Sequence, residues 1–364
     1  MGEDVIIYVR DCGGEQMGYL DERSEEIQKL QSIYNSKVPG TIRELVDVPE
    51  LLRLNTISQS SGAYLSDFSI FRYKYSKLDH SVSVALILDN FVNNNAQVMA
   101  GLLHEIASPA FVHSTKLLNR TYLPKEPQEL KTYNAIVASD KLFEYFLKKE
   151  ISINEVCDYS IYPLACNDIP KLCANRLEYL LHGAYFTKLC DLKDIEKMYN
   201  DLVVVPNEDN KPEFAFETPK LGELFCKLSI EMGKKYRAYE SKITMQIIAD
   251  LLGFMIKRGE ITEEDLYKFG DRAILEIGLS SSDRRISDGW KYVMKLDKVY
   301  TRFNKVDGEY CKKIDMESEY VDPLIRVKGG YERVSKVSQN MNREIDAYLN
   351  TDTDLYAYVV GMPL

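Results

Sequence analysis

The sequence predicts a mostly α-helical protein with a small mixed α/β lobe at its C-terminal end. Apolar residues recur at helical spacing through most of the chain up to about residue 295. Residues 80–92, HSVSVALILDNFV, are apolar almost all round, which is typical of a buried central helix. From residue 298 onward apolar and polar residues alternate, as in KVYTRFNKVDGEY, and a Gly-Gly turn follows. These three observations together define the predicted fold class.

The sequence predicts three segments. Residues 1–40 form an N-terminal extension, in which VIIYV at 5–9 reads as a short strand. Residues 41–295 form the helical core, and residues 296–364 form the C-terminal α/β lobe. Within the core, residues 201–220 (DLVVVPNEDNKPEFAFETPK) interrupt the helical pattern and predict a loop or hairpin.

Local signals place the main helices of the core. Pro49 favours a helix start, because proline fits the first turn. Residues 95–107 (NAQVMAGLLHEIA) predict an apolar helix that ends before Pro109. Residues 175–189 predict another buried helix, and Thr262 is a favourable cap for a later one.

Composition limits the classes of function. The net charge of -10 is spread along the 364 residues, which argues against binding of polymeric nucleic acid. Seven cysteines without a CxxC pair predict reduced thiols and no zinc ribbon. We find no apolar run of the roughly 18 residues that a membrane span needs. The N-terminus does not resemble a signal peptide, so we expect a cytoplasmic protein that does not bind membranes.

The histidines are concentrated in one window. Of the four in the chain, His80, His104 and His113 fall within residues 75–114. Two antiparallel helices would bring His80 close to His104 and the adjacent Glu105, and imidazole with carboxylate is a ligand set for a divalent metal. The alternative is that these are hydrogen-bonded core histidines and that Glu105 is a solvated acid.

Several segments resemble one family, the HD-domain metal-dependent phosphohydrolases, and most closely their deoxynucleoside triphosphate triphosphohydrolase branch. These segments are LVDVPELLRLNTISQSSGAY, YSKLDHSVSVA, AGLLHEIASPAFVHS, NRLEYLLHGAY and YRAYESK. The resemblance covers about residues 40–285. It implies an HD-domain helical bundle with a metal site inside.

The resemblance implies a metal site with altered ligands. His80 and His104 match two family ligands, Glu105 replaces an aspartate, and Asn175 replaces the last aspartate. One divalent ion (Mn, Fe, Ni, Zn or Mg) is expected, held weakly or absent, because the amide carries no charge. Glu105 is also expected to take part in catalysis, and His113 matches a residue that can protonate the leaving group.

The resemblance also implies contacts to sugar, phosphate or base. The residues at these positions are Gln59, Lys77, Arg176, Tyr179 and Tyr239. The alternative is structural: Tyr179 and Tyr239 are core residues, and Arg176 pairs with Glu178 or another acid on the surface. For His182, on the same predicted helix, we expect a surface position.

The expected function is therefore metal-dependent hydrolysis of a nucleotide or another small phosphoester. The partner would be a small phosphorylated molecule, with a nucleotide favoured, and the family often forms homo-oligomers. A second hypothesis is a catalytically degenerate bundle that binds a nucleotide or a partner protein. The residues at Ser108, Tyr133 and Asn175 favour it, because the family has acid–base or metal-binding side chains there. A di-iron oxygenase would need more ligands than these.

Overall fold

The computed structural model describes residues 18–122, 127–314, 316–351 and 354–363, so the strand predicted at 5–9 lies outside it. The described chain is mostly α-helical with two small sheets, which confirms the predicted fold class. Its helices are α1 (Tyr19–Glu22), α2 (Glu25–Tyr34), α3 (Gly40–Leu45), α4 (Pro49–Leu54), α5 (Lys77–Phe91), α6 (Asn95–Leu103), α7 (Val112–Tyr122), α8 (Gln128–Val137), α9 (Asp140–Lys149), α10 (Asn154–Cys157), α11 (Ala174–Phe186), α12 (Leu192–Asn200), α13 (Pro219–Tyr236), α14 (Tyr239–Lys257), α15 (Glu263–Lys268), α16 (Asp271–Leu279), α17 (Arg284–Met294), α18 (Val334–Val337) and α19 (Gln339–Leu349). The strands are β1 (Leu202–Pro206), β2 (Pro212–Phe216), β3 (Tyr300–Arg302), β4 (Tyr310–Lys313), β5 (Leu324–Val327), β6 (Gly330–Arg333) and β7 (Tyr356–Val359).

Helix α5 is the buried centre of the bundle. It begins with a capping box, in which Ser76 accepts from the backbone N–H of Asp79 and the Asp79 carboxylate accepts from the backbone of Ser76. Residues 77–88 are all buried, as the apolar pattern predicts. The helix packs against α2, α6 and α11, so its first turn, with Lys77 and His80, lies deep inside the protein.

Helix α6 ends at Leu103, four residues earlier than the sequence predicts. The ring of His104 explains the difference, because its Nδ1 hydrogen bonds to the carbonyl of Gly101 at 2.7 Å. In a continued helix that carbonyl would accept from the backbone of Glu105. Arg53 donates to the carbonyls of Ile106 and Ser108 and holds the turn that follows. His104 and Glu105 therefore lie in a turn.

The C-terminal residues join the bundle through two sheets. The excursion predicted at 201–220 forms an antiparallel hairpin of β1 and β2, with Leu202 opposite Phe216. Strand β2 pairs in parallel with β5, giving the sheet order β1-β2-β5-β6. The second sheet has the order β3-β7-β4, and its residues pack beside α14 and α17.

Two further features concern the thiols and the helix lengths. The six cysteines in the described ranges are free thiols, consistent with the expected reduced state. Within those ranges, none of the helices combines the length and the apolar character that crossing a membrane requires.

Candidate active site

The bundle contains a cavity of about 580 Å³. Its walls come from the first turn of α5, from α7, α11 and α14, from the last residue of β4 and from residues 314, 317 and 319 after it. The sequence-predicted site residues that line it are Gln59, Lys77, His80, Glu105, His113, Asn175 and Tyr179. His104 does not line the cavity itself, but its ring contacts that of His80, with the two ring centroids 5.1 Å apart.

The Nε2 atoms of His80 and His104 face each other at 3.3 Å. The Nδ1 of His104 is bonded to the Gly101 carbonyl, and a carbonyl only accepts, so this nitrogen carries the proton. The Nδ1–H of His80 donates to the carboxylate of Glu178. In their neutral forms both rings therefore present a lone pair at Nε2 to the same point.

Glu178 anchors this arrangement from behind. Its side chain is fully buried and accepts hydrogen bonds from His80, from Tyr75 and, at 3.1 Å, from His182. Burial alone would raise the pKa of Glu178, but the two histidines outweigh it and lower the pKa to about 2. The carboxylate is thus ionised and fixes the proton of His80 on Nδ1, as carboxylates do behind metal-binding histidines.

The expectation that His182 lies on the surface is wrong, because it is buried and reaches the cavity wall. The expected surface pairing of Arg176 with Glu178 is also wrong, because Glu178 lies inside with the histidines. The sequence carried a local signal for this cluster: Glu178 and His182 are four residues apart on a helix and share one face.

The histidine pair has the geometry of a cation site. Two nitrogens bound to one tetrahedral ion at about 2.0–2.1 Å lie about 3.3 Å apart. Two lone pairs at this separation repel each other unless a cation or a proton lies between them. Burial lowers the pKa of His104 to about 4, which keeps the ring neutral near pH 7. The neutral His104 ring therefore offers its Nε2 lone pair to a cation at this point.

Glu105 supplies the nearest carboxylate. Its Oε1 is 3.9 Å from Nε2 of His104, and one ligand atom each of His80, His104 and Glu105 lie within 4.8 Å of one another. Burial would raise the pKa of Glu105, but Lys77, His104 and His80 hold it well below its usual range. Lys77 donates to Oε1 at 2.7 Å, and Ser108 donates to Oε2. Each oxygen of the Glu105 carboxylate therefore accepts a hydrogen bond.

Asn175 lines the same cavity and is linked to the histidine pair through Tyr159. It is in the first turn of α11, and its Nδ2 donates to the hydroxyl of Tyr159 at 3.3 Å. The Tyr159 ring in turn packs on His104 at 4.8 Å. The amide oxygen of Asn175 is the atom that can bind an ion, and it carries no formal charge.

A second part of the wall is cationic. His113 and Lys116 come from α7, and Lys242 comes from α14, which packs against α7. The side chains of His113 and Lys116 are both exposed to solvent in the cavity. The surrounding protein still desolvates His113 and, together with Lys116, Lys77 and Lys242, holds its pKa well below the usual value. Desolvation also lowers the pKa of Lys116. Among the described residues, no carboxylate lies within ion-pair distance of the Lys116 or Lys242 ammonium.

Aromatic rings form a third part of the wall. Phe71 and Tyr236 stack with ring centroids 5.7 Å apart, and Tyr179 lies edge-on to Tyr236. A Cβ at Gly183 would lie 2.6 Å from the hydroxyl of Tyr236, so the tyrosine fills the space that a side chain there would need. The hydroxyl of Tyr179 donates to Glu319, at 3.1 Å, on the segment after β4.

Two residues predicted to bind substrate do not line the cavity. Arg176 is buried, and its guanidinium donates to Asn167 and to the backbone carbonyl of Lys171, which stabilises the loop before α11. The hydroxyl of Tyr239 accepts from the backbone of Leu355 at 3.3 Å. Gln59, by contrast, lines the cavity with a buried Oε1 that has no hydrogen-bond partner in the structure.

Comparisons with known proteins place the fold. No family model matches the sequence. An uncharacterized protein, YdhJ, from Bacillus subtilis (strain 168) is 22% identical over 168 residues, which are 46% of this chain. The match spans about half the length of that curated relative, 50%.

Two solved structures resemble the whole bundle. A hypothetical protein from Aquifex aeolicus aligns with a TM-score of 0.64 and 17% identity over 88% of this chain and 93% of its own. A phosphohydrolase from Bacteroides thetaiotaomicron VPI-5482 aligns with a TM-score of 0.63 and 15% identity over 88% of this chain and 96% of its own. The chain therefore shares its fold with a solved phosphohydrolase.

Proposed function

We propose that this protein is an HD-superfamily metal-dependent phosphohydrolase that acts on a nucleotide or another small phosphoester. The observation that carries the proposal is the pair of Nε2 atoms of His80 and His104, 3.3 Å apart, with both Nδ1 protons committed elsewhere. In their neutral forms the two rings present two lone pairs to one point, which is the arrangement that a metal ion requires, whereas a hydrogen-bonded core pair would carry a proton between the two Nε2 atoms.

The ion would be held by His80, His104 and Glu105, with the Asn175 amide as a fourth candidate. When bound, a divalent ion supplies Lewis-acid activation of a phosphoryl group and lowers the pKa of water. The two imidazole ligands favour Fe, Ni or Zn over Mg, and the carboxylate of Glu105 also suits Mn. Glu178 keeps His80 in the tautomer that binds an ion, and Ser108 orients Glu105.

The substrate would be an anion with a flat group. Lys116 and Lys242 have no carboxylate within ion-pair distance among the described residues, so their ammonium groups can pair with a phosphate, while Glu317 and Glu319 line the same cavity and offset part of the positive charge. Tyr179, Tyr236 and Phe71 offer ring surface on which a base can stack. The buried Oε1 of Gln59 can accept from a sugar hydroxyl or a base.

His113 is the acid–base candidate on the cavity wall. Its lowered pKa means that the ring is neutral near pH 7 in the ligand-free protein. Desolvation is the main cause of the lowered pKa, and a phosphate beside Lys116 and Lys242 would offset the smaller contribution of the lysine charges, so the pKa of the ring would rise as substrate binds. It could then protonate the departing oxygen.

One observation favours the degenerate alternative, a bundle that binds a phosphorylated ligand without turnover. Both oxygens of Glu105 already have partners, Lys77 and Ser108, so the carboxylate is not free for an ion as it stands. In that case Lys77, Lys116 and Lys242 would bind the ligand, and no ion would be retained.

The test is the metal content of the purified protein beside that of the double variant His104→Ala/Glu105→Ala. We expect about one ion per chain in the wild type, loss of that ion in the variant, and ion-dependent phosphate release from a panel of nucleotides and simple phosphoesters. Circular dichroism checks that the helix content of the variant is unchanged.

His113→Ala is the matched control, because this side chain lines the same cavity but is not among the proposed ligands. It should keep the ion and lose most of the hydrolysis. An unchanged ion content in the double variant would contradict the assignment of His104 and Glu105 as ligands. Absence of any ion after loading the wild type with each metal would favour the binding protein.

A further inference from the structure

Lys77 is one turn before His80 on α5, so the two side chains project from the same face of the helix. The lysine side chain is 4% exposed, and its ammonium lies 2.7 Å from Oε1 of Glu105. This is a charge-assisted bond inside the protein, and it is directed at the carboxylate that lies beside the histidine pair.

The ammonium and a metal ion would compete for this carboxylate. A metal–carboxylate bond is about 2.0–2.2 Å long, so an ion on Oε1 would lie within a few ångströms of the lysine charge. Two cations at that separation repel strongly in a partly desolvated site. Ser108 donates to Oε2, so the other oxygen offers no unengaged alternative.

We propose that Lys77 is an internal competitor for the metal ion: its ammonium holds Glu105 in the ion-free protein and must leave when the ion binds. The proposal rests on the proposed function, because it concerns the same site. The displaced ammonium would turn into the cavity, whose wall also carries Lys116 and Lys242, and an anionic ligand there would add to the compensation that Glu317 and Glu319 provide. Ion and phosphate would therefore bind with positive coupling.

This competition sets the affinity for the ion. When the competent state of a site is only partly populated, the apparent Kd rises by the inverse of that fraction. Without the ammonium, Oε1 of Glu105 is always available as a ligand. The ion should therefore bind more tightly to a Lys77 variant. The same change should destabilise the ion-free protein, because it leaves a carboxylate without its cation in a partly buried position.

The experiment is a titration with Mn²⁺ of the ion-free full chain as wild type, Lys77→Met and Lys116→Met. Lys116→Met removes the same charge from the same cavity, but Lys116 has no hydrogen bond to Glu105. We expect a Kd about tenfold to 100-fold lower in Lys77→Met, the size of effect that contacts to metal ligands usually have. Lys116→Met should stay within about threefold of the wild type, because it changes only the long-range field.

Two further readouts accompany the titration. The Tm of ion-free Lys77→Met should lie below that of the wild type and recover on adding Mn²⁺. Sulfate, used as a soluble tetrahedral oxyanion, should tighten Mn²⁺ binding more in the wild type than in Lys77→Met. If Lys77→Met does not fold, Lys77→Gln takes its place, because its amide still donates to Glu105 without a charge.

Equal affinities in the wild type and both variants would overturn the competitor role while leaving the metal site intact. Tighter binding by the same factor in Lys77→Met and Lys116→Met would also overturn it, because the cause would then be general charge. No Mn²⁺ binding in any of the three proteins would overturn the proposed function, and the competitor role with it.

Discussion

The two ends of the cavity differ in how their polar groups are compensated. At the end with His80 and His104, each Nδ1 proton has a fixed acceptor, Gly101 or Glu178. At the end with Lys116 and Lys242, the ammonium groups have no carboxylate at ion-pair distance among the described residues. The first end has the fixed nitrogen geometry that a cation requires, and the second carries ammonium groups that can pair with an anion.

This difference indicates where binding energy is available. Rings whose orientation and tautomer are already fixed lose little freedom when a ligand arrives, so the histidine end gains affinity from preorganisation. The lysine end gains affinity from charge, since a phosphate there forms bonds that the ligand-free protein does not make. Substitutions at the histidine end should change mainly the affinity for the ion, and substitutions at the lysine end should change mainly the KM for a phosphoester.

Removing the carboxylate behind the histidine end should have the largest effect. Glu178→Ala leaves the donors of His80, His182 and Tyr75 buried without their acceptor, which should cost about 3–5 kcal/mol in the free energy of unfolding. Mn²⁺ affinity should fall about tenfold to 100-fold, because the His80 tautomer is no longer fixed. Urea unfolding of the ion-free protein and a Mn²⁺ titration measure the two effects.

Glu178→Gln is the control for that experiment. The amide keeps one acceptor oxygen for the histidines, and its NH₂ group can donate to the hydroxyl of Tyr75. Its stability should therefore lie between those of Glu178→Ala and the wild type. Wild-type Mn²⁺ affinity in Glu178→Ala would show that the carboxylate has only a structural role.

The fold class could be predicted from the sequence because its signals are local. The apolar run of α5 and the cap at Thr262 each depend on neighbours a few residues away, and both are found in the structure. Proximity of His80 to His104 also follows from two adjacent helices. The early end of α6 could not be predicted, because a side chain replaces a backbone donor at Gly101.

The contacts that decide the chemistry are long-range. Glu178 is 98 residues from His80, and Lys77 is 28 residues from Glu105. Neither the hydrophobic periodicity nor a sequence motif indicates which charged side chains pair across such long sequence separations, because the packing of the helices determines these pairs. Arg176 shows the converse: its position in the motif pointed to the substrate, but the loop before α11 offers its guanidinium closer acceptors.

A second buried carboxylate, Asp271, lies near the end of the cavity with Lys116 and Lys242, and removing it should have an intermediate effect. Asp271 accepts from the backbone of Ser58 at 3.0 Å and of Phe111 at 2.7 Å, so it ties together the segments that carry Gln59 and His113. Burial raises its pKa to about 6, despite these hydrogen bonds and the nearby cations Lys77 and Arg53. Glu178 differs because two histidines donate to it.

The raised pKa of Asp271 predicts a pH dependence of stability. The folded protein holds this proton up to about pH 6, whereas the unfolded chain loses it near pH 4. The stabilising contribution is therefore complete below about pH 4 and is lost as the pH rises to about 6, with a total of about 2–3 kcal/mol. Urea unfolding of the wild type and Asp271→Asn between pH 4.5 and 7 measures it. Parallel stability curves for the two proteins would rule out this titration.

The smallest expected effect tests whether the lysine end binds the substrate. Lys242→Met should raise KM for a phosphoester about tenfold, the value of one charge-assisted hydrogen bond. Its Kd for Mn²⁺ should stay within about threefold of the wild type, because the lost charge acts on the ion only through the long-range field. Lys268→Met is the surface control, since Lys268 is paired with Glu264 on α15 and should change neither value. A rise in KM that is matched by an equal loss of Mn²⁺ affinity would mean that the two ends of the cavity are a single coupled site. A rise in KM alone would mean that the cation end and the anion end bind their ligands through separate contacts.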